Sequence, residues 1–234
     1  MCGRYTQTQD RAVLEARFGL APAQVKLEPR YNLAPGQEAP VVAGSEPKEL
    51  KLMRWGLVPH WTPEERIGFK MINARAETVD RKPAFRGLLR RRRCLVLADG
   101  FYEWAKPPQG GRIPWRYVLK DQSPFALAGL WDAWSGPDKG RLESFTIITT
   151  QANDLVRPVH DRMPVILDRQ AEAAWLNLEI TEPALMTKIL KPFPSELMTG
   201  YQVSTLVNRP SNDGPEVILP ADEPGRPQDL FHIS

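Results

Sequence analysis

The sequence predicts a single α+β domain dominated by β-structure, in which a mixed sheet curls into a barrel-like form and a few short helices lie at its periphery. The apolar runs are short, the turns between them are rich in glycine and proline, and amphipathic helical segments are few. Proline accounts for 23 of the 234 residues, about twice its usual ~5% share. No glycine-rich phosphate loop follows a predicted strand, which disfavours a nucleotide cofactor.

The first elements along the chain are a helix, an irregular segment and two strands. Residues 8–18 are predicted to form a short amphipathic helix, since Val13, Leu14 and Phe18 fall on one face and Gly19 suits the helix end. Residues 30–37 are too polar and too interrupted by proline for a strand, so they are predicted to form an ordered loop. Residues 39–44 and 50–58 have the pattern of paired strands.

The remaining elements are mostly strands. Further strands are predicted at residues 69–76, 94–98, 101–105, 115–120, 125–131, 144–150, 163–167 and 199–204. Short helices are predicted at residues 83–90, 171–176 and 183–190, the first with Pro83 in its first turn. Asp99 and Gly100 lie between two apolar runs, so they are predicted to form the turn of a hairpin.

Residues 1–210 are predicted to form one domain, followed at residues 211–234 by an acidic, proline-rich tail that packs on the domain or trails from it. The whole chain has a net charge of +3, but without the tail it holds 30 basic and 23 acidic residues. This moderately basic body suits a polyanionic partner. Arginines at positions 86 and 90–93 form the densest basic run, for which a solvated helix face is the alternative.

Composition also bears on the compartment and the cofactors. The two cysteines, Cys2 and Cys94, do not make a disulfide framework. No apolar run approaches the ~18 residues of a membrane span, and no secretory signal opens the sequence. A cytoplasmic protein, associated with the nucleoid if bacterial, is therefore expected. With three histidines and no Cys/His cluster, no metal site and no other cofactor are expected.

Cys2 is the most informative residue, because removal of Met1 would make it the N-terminus. Its α-amino group and thiol would then form a 1,2-aminothiol, which condenses with an aldehyde to an imine and closes to a five-membered thiazolidine. The α-amino group titrates at about 7.7–8.0, so a usable fraction is unprotonated near neutral pH. Aldehydes or thioester-type acyl groups are the natural partners of such an end. The alternative for Cys2 is a small buried hydrophobe.

Two further side chains are candidates for proton transfer. His160 lies in a polar loop that enters a strand and could act as a proton shuttle; an ordinary surface histidine is the alternative. Glu103 is flanked by aromatic residues beside a buried strand, and desolvation there would raise its pKa. The alternative for Glu103 is an outward-facing position on an alternating strand. His60 and His232 are interpreted as ordinary histidines.

Other segments offer polar or aromatic surfaces. Asn73, Arg75 and Glu77 occupy alternate positions, so on a strand they share one face that could hold a phosphate or a sugar. A surface strand with an Arg–Glu pair is the alternative. Trp55 and Trp61 flank a proline turn, where exposed rings would stack on nucleobases and buried rings would belong to the core. The core is the preferred assignment for Trp55, and it is also the assignment for Cys94.

Eight of these segments together resemble one family. They are Met1-Cys2-Gly3-Arg4-Tyr5; Arg30-Tyr31-Asn32-Leu33-Ala34-Pro35; Trp55-Gly56-Leu57-Val58-Pro59 with Trp61; Asn73-Ala74-Arg75-Ala76-Glu77-Thr78; Arg93-Cys94-Leu95-Val96; Gly100-Phe101-Tyr102-Glu103-Trp104; Ile148-Thr149-Thr150 with Ala152-Asn153; and His160-Asp161-Arg162-Met163-Pro164-Val165. Any one of them is weak, but the ordered set is strong. The chain resembles the SRAP family, named SOS-response-associated peptidases.

The resemblance implies a sensor of abasic sites in single-stranded DNA. Processed Cys2 would form a thiazolidine crosslink with the aldehyde at C1′ of the ring-opened sugar, which shields the lesion from strand cleavage and error-prone bypass. Asn73 would hold Cys2 and the sugar, while Glu103 and His160 would move protons. The residues that the resemblance assigns to DNA binding are Gly3, Arg4, Asn32, Trp61, Arg75, Trp104, Thr149 and Arg162. The expected partner is single-stranded DNA with abasic sites, without a membrane or a nucleotide cofactor, and a monomer is expected.

Two rival functions stay open. A cysteine-type peptidase or amidohydrolase would use Cys2 as nucleophile and His160 as base, and it needs an oxyanion hole and a peptide groove that the sequence does not indicate. A non-catalytic single-strand-binding module would bind DNA without Cys2 and without a preference for abasic sites.

Overall fold

The computed structural model describes residues 2–21, 25–44, 48–136 and 140–221. Within these ranges the chain forms thirteen β-strands and four α-helices, joined by loops and short 3₁₀ turns. The strands are β1 (Arg4–Gln7), β2 (Arg30–Leu33), β3 (Glu38–Ala43), β4 (Glu49–Trp55), β5 (Asn73–Arg75), β6 (Arg93–Ala98), β7 (Gly100–Ala105), β8 (Ile113–Leu119), β9 (Phe125–Ser135), β10 (Arg141–Gln151), β11 (Arg162–Pro164), β12 (Ile166–Leu167) and β13 (Met198–Gln202). The helices are α1 (Arg11–Phe18), α2 (Pro83–Arg91), α3 (Arg169–Leu176) and α4 (Pro183–Lys188). Among these residues, no helix has the length and apolarity needed to cross a membrane.

Five of the strands close into a barrel. β3 pairs with β4 and β6, β6 pairs with β9, β9 pairs with β10, and β10 returns to β4. The pairing of β10 with β4 is parallel, with Ser144 beside Arg54 and Phe145 beside Trp55, whereas the other four pairings are antiparallel. The predicted β-dominated α+β fold with a curled, mixed sheet is therefore confirmed.

A second sheet packs on the barrel and carries the candidate chemistry. Its five strands have the order β13-β8-β7-β1-β2 and are antiparallel throughout. Cys2 leads into β1, and Glu103 lies on the neighbouring β7. Side chains from both sheets form one apolar cluster, in which the Tyr5 and Trp55 rings meet at 5.1 Å between centroids. Cys2 belongs to this cluster, so it lies between the two sheets.

The opposite face of the barrel wall packs on the helices. Successive residues of a strand point to opposite faces of a sheet. On β9, Leu127 joins the cluster that contains Cys2, whereas Ala128 and Leu130 join a second cluster with side chains of α1, α2 and α3. The barrel wall therefore has a sheet side, which faces Cys2, and a helix side, which faces the helices.

The predicted helices are confirmed with shifted ends. α1 begins at Arg11 rather than at residue 8, because Asp10 occupies the N-cap and accepts a hydrogen bond from the Val13 amide at 3.0 Å. The helix ends at Gly19, whose φ of 62° is the left-handed conformation that favours glycine. α2 has Pro83 in its first turn, as predicted.

The arginine run divides into buried and exposed parts. Arg93 is 1% exposed, and its guanidinium donates to four main-chain carbonyl oxygens near the C-terminal ends of α2 and α3. Such carbonyls lack partners within their own helix, and a cation there also complements the helix dipole. Arg92 lies over the Trp131 ring at 4.3 Å. Arg93 therefore joins two helix ends in the core and is not part of a solvated face.

The predicted hairpin at Asp99 and Gly100 is wrong. β6 belongs to the barrel and β7 to the second sheet, so the chain crosses between the sheets at this point. The Asp99 carboxylate accepts hydrogen bonds from the Thr6 hydroxyl and from the Thr8 amide, which anchors the crossing to β1. A Cβ at Gly100 would lie 2.8 Å from Arg116 Nε, so this close approach requires glycine. An Asp-Gly pair marks a bend, but it does not identify which strands pair.

Three local predictions are corrected as well. Residues 30–33, predicted as part of a loop, form β2 at the edge of the second sheet, where one side of the strand is open and polar residues are tolerated. Residues 69–76 do not form one strand, because a 3₁₀ turn spans Glu65–Lys70 and β5 covers only Asn73–Arg75. Glu77 lies in the turn that follows, so it does not belong to the predicted strand face. The strand predicted at 163–167 is divided at Val165 into β11 and β12.

The first part of the predicted tail packs on the domain. Val217 is fully buried, and the Asp213 carboxylate accepts hydrogen bonds from the Tyr31 and Asn32 amides, both at 2.6 Å. The same carboxylate forms an ion pair with Arg30. Asp213 thus accepts hydrogen bonds from β2 amides at the open edge of the second sheet. Residues 222–234 of the tail lie outside the described residues.

Replacing Asp213 by alanine is expected to lower the free energy of unfolding by about 2 kcal/mol or more, because two strand amides and Arg30 lose their acceptor. Urea unfolding measures the change. The matched control is Glu196→Ala, since Glu196 is exposed. Equal unfolding midpoints for the two variants would show that the tail does not stabilise β2.

Candidate active site

Cys2 is fully buried between the two sheets, just before β1. Its Sγ lies 3.9 Å from the carbonyl oxygen of Arg4, a weak sulfur hydrogen bond. Burial, and secondly the negative charge of Glu103, raise the pKa of the Cys2 thiol well above its ordinary value. The thiol therefore stays protonated until a base takes its proton. Met1 lies outside the described residues.

Asn73 fixes the main chain of Cys2. β5 runs parallel to β10 with Asn73 beside Ile147, and the Asn73 Nδ2 donates to the Cys2 carbonyl oxygen at 2.8 Å. The Asn73 Oδ1 is buried and has no hydrogen-bond partner within the described part of the chain. Because buried polar atoms are nearly always paired, this oxygen is a candidate acceptor for an amine or a hydroxyl that arrives with a reactant.

Glu103 lies on β7 and is 2% exposed. β1 pairs with β7 so that Arg4 lies beside Tyr102, and the chain before Arg4 runs past Glu103. Burial raises the pKa of Glu103 from 4.5 to about 7, so the desolvation that the sequence predicts is confirmed. A carboxyl group with this pKa is present in both forms at neutral pH and can give or accept a proton.

His160 is half-buried in the turn before β11. Its Nδ1 accepts a hydrogen bond from the Arg162 amide at 3.0 Å, and it also lies 2.9 Å from Asp161 Oδ1. These two contacts compete, since the first needs a lone pair on Nδ1 and the second needs a proton there. Burial lowers the pKa of His160, and the Asp161 side chain is 85% exposed and screened by solvent. The neutral form with its proton on Nε2 is therefore favoured.

One cavity brings several of the predicted residues together. It has a volume of about 910 Å³, and its lining residues are Gly3, Arg4, Glu103, Trp104, Lys106, Gly111, Arg112, His160 and Asn208. Five of these nine were predicted from the sequence. Lys106 and Arg112 add positive charge that the sequence did not single out, because basic residues in a loop carry no periodic signal. The cavity thus combines an acid of raised pKa with a neutral histidine, a tryptophan and a basic rim.

The segment after β13 holds Arg4 and Trp104 in this cavity. The Arg4 guanidinium donates to Asn32 Oδ1 at 2.7 Å and to the carbonyl oxygens of Val207 and Asn208 at 2.8 and 3.2 Å. The Trp104 Nε1 donates to Asn208 Oδ1 at 2.7 Å. Asn32 is fully buried, and its own amide donates to three main-chain carbonyls of the same segment. Asn32 therefore positions Arg4 and does not face solvent.

A second cavity is lined in part by Asp161, the residue after His160. It has a volume of about 370 Å³, and its lining residues are Arg75, Gln151, Ala152, Arg157, Asp161 and Arg162. Arg162 forms a bidentate ion pair with Glu77 at 2.7 and 3.0 Å, and its guanidinium lowers the pKa of Glu77. Arg162 also donates to the main-chain oxygen of Thr149, which is fully buried, whereas Arg75 is exposed. Two of the three predicted DNA contacts in this region therefore line the cavity, and Thr149 lies beneath it.

Trp61 lies apart from the other predicted residues. Its side chain is 57% exposed and lines a third cavity, together with His60, Asp132 and side chains of α2. Asp132 is two positions after Leu130 on β9, so both point to the helix side of the barrel wall. The structure therefore does not bring Trp61 together with Cys2.

Tyr117 is a residue of the site region that the sequence did not single out. It lies on β8, next to β7, and its ring stacks on Phe101 at 5.2 Å. Its hydroxyl is buried and has no partner among the described residues. Burial, and secondly the charge of Glu103, raise the pKa of Tyr117. The alternating strand pattern does not distinguish this tyrosine from the other core aromatics.

The donors around Cys2 are suited to hydrogen bonding and proton transfer. They comprise the Asn73 amide, the Glu103 carboxyl group and, in the adjoining cavity, the His160 imidazole. Within the part of the chain that the structure describes, no group of three or more His, Cys, Asp or Glu side chains is placed to hold a metal ion.

Proteins of known family are similar to this sequence over most of its length. A family model described as SOS response associated peptidase (SRAP) matches residues 1–210. The abasic site processing protein YoqW of Bacillus subtilis (strain 168) is 42% identical over 221 residues, which cover 93% of this chain and 99% of that protein. The abasic site processing protein HMCES of Gallus gallus is 34% identical over 230 residues, which cover 84% of this chain and 68% of that protein.

Solved structures share the fold. A crystal structure of a Bacteroides thetaiotaomicron protein is similar with a TM-score of 0.86 at 29% identity, and the match covers 94% of this chain and all of that chain. A Bordetella bronchiseptica protein is similar with a TM-score of 0.74 at 27% identity, over 87% of this chain and all of that chain. The family match spans the strands and loops that carry Cys2, Asn73, Glu103 and His160. The chain therefore belongs to the SOS response associated peptidase (SRAP) family.

Proposed function

We propose that this protein recognises abasic sites in single-stranded DNA and, once Met1 is removed, crosslinks to them through Cys2. The observation that carries the proposal is the arrangement at Cys2. Asn73 donates a hydrogen bond to the Cys2 carbonyl oxygen, and Glu103 lies close enough for its negative charge to raise the pKa of the Cys2 thiol. The names of YoqW and HMCES, both abasic site processing proteins, support the same substrate.

The first chemical step is condensation of the Cys2 amine with the C1′ aldehyde of the ring-opened sugar. The amine adds to the aldehyde carbon, and the resulting carbinolamine loses its hydroxyl as water to give a protonated imine. That hydroxyl needs a proton to leave, and Glu103, with its pKa near 7, is a suitable donor. The unpartnered Asn73 Oδ1 is suited to accept a hydrogen bond from the amine and to hold it against the aldehyde.

The second step closes the ring. The sulfur of the Cys2 thiol bonds to the carbon of the protonated imine, and the nitrogen keeps its proton as the C=N bond becomes a single bond. Glu103 is a carboxylate after the first step and can take the thiol proton, which returns it to its acid form. The net reaction joins aldehyde and aminothiol to a thiazolidine and one water. A raised thiol pKa keeps sulfur protonated until this step, which suits a nucleophile that acts second.

The DNA path proposed here follows the two cavities beside His160. The larger one is lined by Gly3, Arg4 and Trp104, and Asn32 holds Arg4 in place. The smaller one offers Arg75 and Arg162, supported from below by Thr149. Arginines of this kind suit phosphates, and an aromatic ring suits a base. Trp61 would contact only DNA that extends to the helix side of the barrel.

The rival peptidase function finds less support. A cysteine peptidase needs an activated thiolate paired with a base, but burial raises the pKa of Cys2 and the hydrogen bond of its sulfur goes to the Arg4 carbonyl. A simple single-strand-binding module would not need the buried acid beside Cys2, whose burial carries a free-energy cost.

A denaturing gel tests the proposed function. The processed protein is mixed with a single-stranded oligonucleotide that carries one abasic site, with the same oligonucleotide intact, and with a third whose abasic sugar has been reduced to the alcohol. A heat-stable shifted band with the aldehyde alone is the expected result. Mass spectrometry confirms that Cys2 is the N-terminus. A processed protein that gives no band would refute the proposal and favour the hydrolase.

Replacing His160 by alanine is expected to slow both formation and reversal of the crosslink by roughly a hundredfold, the scale of general acid–base catalysis. The reason is the neutral imidazole in the cavity, which is placed to exchange a proton with the sugar oxygen. Time courses in both directions measure the effect. The matched control is His60→Ala, since the His60 side chain is 66% exposed and lines the third cavity, on the helix side of the barrel wall. Identical time courses for His160→Ala and the unaltered protein would remove His160 from the mechanism.

A further inference from the structure

Asn208 is the last residue of a 3₁₀ turn, Thr205–Asn208, that follows β13, and it lines the cavity that also holds Glu103. The residues on either side of Asn208 tie this turn to the domain. Val207 is fully buried, and the Asn32 amide donates to the carbonyl oxygens of Val207 and Arg209 at 3.0 and 3.1 Å. The main chain of Asn208 is therefore held in place, although the residue itself is exposed.

One end of the Asn208 side chain is engaged and the other is available. Trp104 Nε1 donates to Asn208 Oδ1 at 2.7 Å. An indole N–H can only donate, so the amide oxygen must face Trp104 and the N–H donors on Nδ2 face elsewhere. Within the described part of the chain, these donors have no acceptor. Because Asn208 lines the cavity, its Nδ2 is a hydrogen-bond donor available to a reactant there.

Arg4 offers further donors beside Asn208. A guanidinium carries five N–H groups. The Nη1 hydrogens of Arg4 are engaged with Asn32 and Val207, and one Nη2 hydrogen is engaged with the Asn208 carbonyl oxygen. The Nε hydrogen and the second Nη2 hydrogen have no acceptor among the residues that the structure describes. The guanidinium also lies over the Trp104 ring, 5.9 Å from its centroid. Arg4 and Asn208 are thus fixed next to each other, and both have unused donors.

The charge around these donors suits an oxyanion. Lys106 and Arg112 line the same cavity as Arg4. Glu103 is the one acid among the described lining residues, and burial raises its pKa to about 7, so that it is partly neutral. Guanidinium and amide N–H groups both bind phosphate oxygens. Donors that are already held in place lose less conformational entropy when they bind.

From this juxtaposition we infer that Asn208 positions the reacting sugar, by donating from Nδ2 to an oxygen of a phosphate attached to that sugar, together with Arg4. The inference rests on the proposed function, which puts an abasic sugar in this cavity. It gives the Asn208 side chain two tasks, since Oδ1 holds Trp104 and Nδ2 meets the substrate. The phosphates on the 5′ and 3′ sides of the sugar present the same oxyanion, so the test examines each of them.

Replacing Asn208 by aspartate separates the two tasks. The carboxylate still accepts from Trp104 Nε1, but its second oxygen takes the place of the Nδ2 donors and repels a phosphate. Asn208→Ala removes both groups without adding a charge. The matched control is Asn177→Asp, which adds the same charge at an exposed position after α3 that does not line the cavity.

The probes are single-stranded oligonucleotides whose abasic sugar has been reduced to the alcohol, so that they bind without crosslinking. One probe has phosphates throughout. The other two carry an uncharged methylphosphonate in place of the phosphate on the 5′ side or on the 3′ side of the abasic sugar. Fluorescence anisotropy measures the affinity of the full chain and of each variant for all three probes.

We expect Asn208→Asp and Asn208→Ala to bind the phosphate probe about tenfold more weakly, the scale of one hydrogen bond to a charged group. With one of the methylphosphonate probes this loss should disappear, which identifies the phosphate that Asn208 meets. Asn177→Asp should bind like the unaltered protein. Equal affinities of Asn208→Asp and Asn177→Asp for the phosphate probe would overturn the inference. A loss that persists with both methylphosphonate probes would also overturn it, because a purely structural role does not depend on the phosphate charge.

Crosslinking of the unaltered protein to the unreduced abasic oligonucleotide is measured in parallel. Its failure would refute the proposed function. A normal crosslink together with binding losses that ignore the phosphate charge would refute only the role of Asn208.

Discussion

Replacing Cys2 by alanine is expected to abolish the heat-stable crosslink to an abasic site while leaving reversible DNA binding in place. Alanine keeps the α-amino group, so the imine still forms, but no sulfur is present to close the ring. The imine hydrolyses when the protein is denatured, and no band survives. The arginines and Trp104 that line the cavities are unaltered by the substitution, so affinity for an intact single strand should change little.

Borohydride trapping separates the amine from the thiol in this prediction. Borohydride reduces an imine to a stable secondary amine, so Cys2→Ala and Cys2→Ser should both give a band after reduction and none without it. Serine is the closer match to cysteine in size and keeps a polar atom within reach of the Arg4 carbonyl. A heat-stable band from Cys2→Ala in the absence of borohydride would overturn the thiazolidine. A loss of trapping in both variants would mean that the α-amino group is not the first nucleophile.

An N-terminus that keeps Met1 provides the complementary control. Methionine ties the Cys2 nitrogen into an amide, so neither the imine nor the thiazolidine forms although the thiol is intact. A cysteine peptidase would keep its activity in such a protein, since its chemistry needs only the thiol. The comparison therefore distinguishes the two rival roles of one residue.

The sequence predicts the fold class and the burial of Glu103 better than it predicts how the strands are connected. The short apolar strands and the Pro/Gly turns indicate a curled mixed sheet, and the structure has a closed five-stranded barrel. The desolvation of Glu103 is also predictable, because aromatic neighbours on a strand beside a buried one imply burial. By contrast, Asp99 and Gly100 join two different sheets, since pairing depends on partners far away in the chain.

Polar residues with distant partners were the hardest to interpret from the sequence. Residues 30–33 look too polar for a strand, yet Asp213 satisfies two of their amides from more than 180 positions along the chain. His60 has no distinctive neighbours in the sequence, and its partner Asp132 is 72 positions away. Trp61 resembles a DNA contact by its motif, but the barrel wall separates its cavity from Cys2. Local patterns carry no signal for such contacts.

Replacing Glu103 by glutamine is expected to slow crosslinking by about a hundredfold or more at neutral pH. Glutamine has nearly the same shape and remains at the same place on β7, but it cannot donate the proton that the carbinolamine hydroxyl needs. The effect should fall on the rate of crosslinking and not on the affinity for intact DNA. The matched control is Glu179→Gln, which changes an exposed glutamate away from the cavity.

The pH profile gives this prediction a second, independent readout. The fraction of unprotonated amine rises with pH up to about 7.7–8.0, whereas protonated Glu103 is lost as pH rises through its pKa of about 7. The crosslinking rate of the unaltered protein should therefore pass through a maximum near neutral pH. In Glu103→Gln the falling limb should vanish, so that the remaining slow rate only rises with pH. A profile of the same shape in both proteins would exclude Glu103 as the acid.

The same substitution should make the folded protein more stable, and the sign follows from the direction of the shift. The folded-state pKa of Glu103 is raised from 4.5 to about 7, so the charged form is disfavoured in the folded protein. The unaltered protein therefore loses stability between these two pH values, by up to roughly 3 kcal/mol once Glu103 is fully ionised. Glutamine carries no charge, so the stability advantage of Glu103→Gln should grow across that interval and stay constant above it. Urea unfolding across the same pH range measures this advantage, and a difference that does not depend on pH would mean that Glu103 has no raised pKa. A variant that is slower in crosslinking and more stable above pH 7 is the result expected if the cost of burying this carboxyl group is retained for its proton transfer.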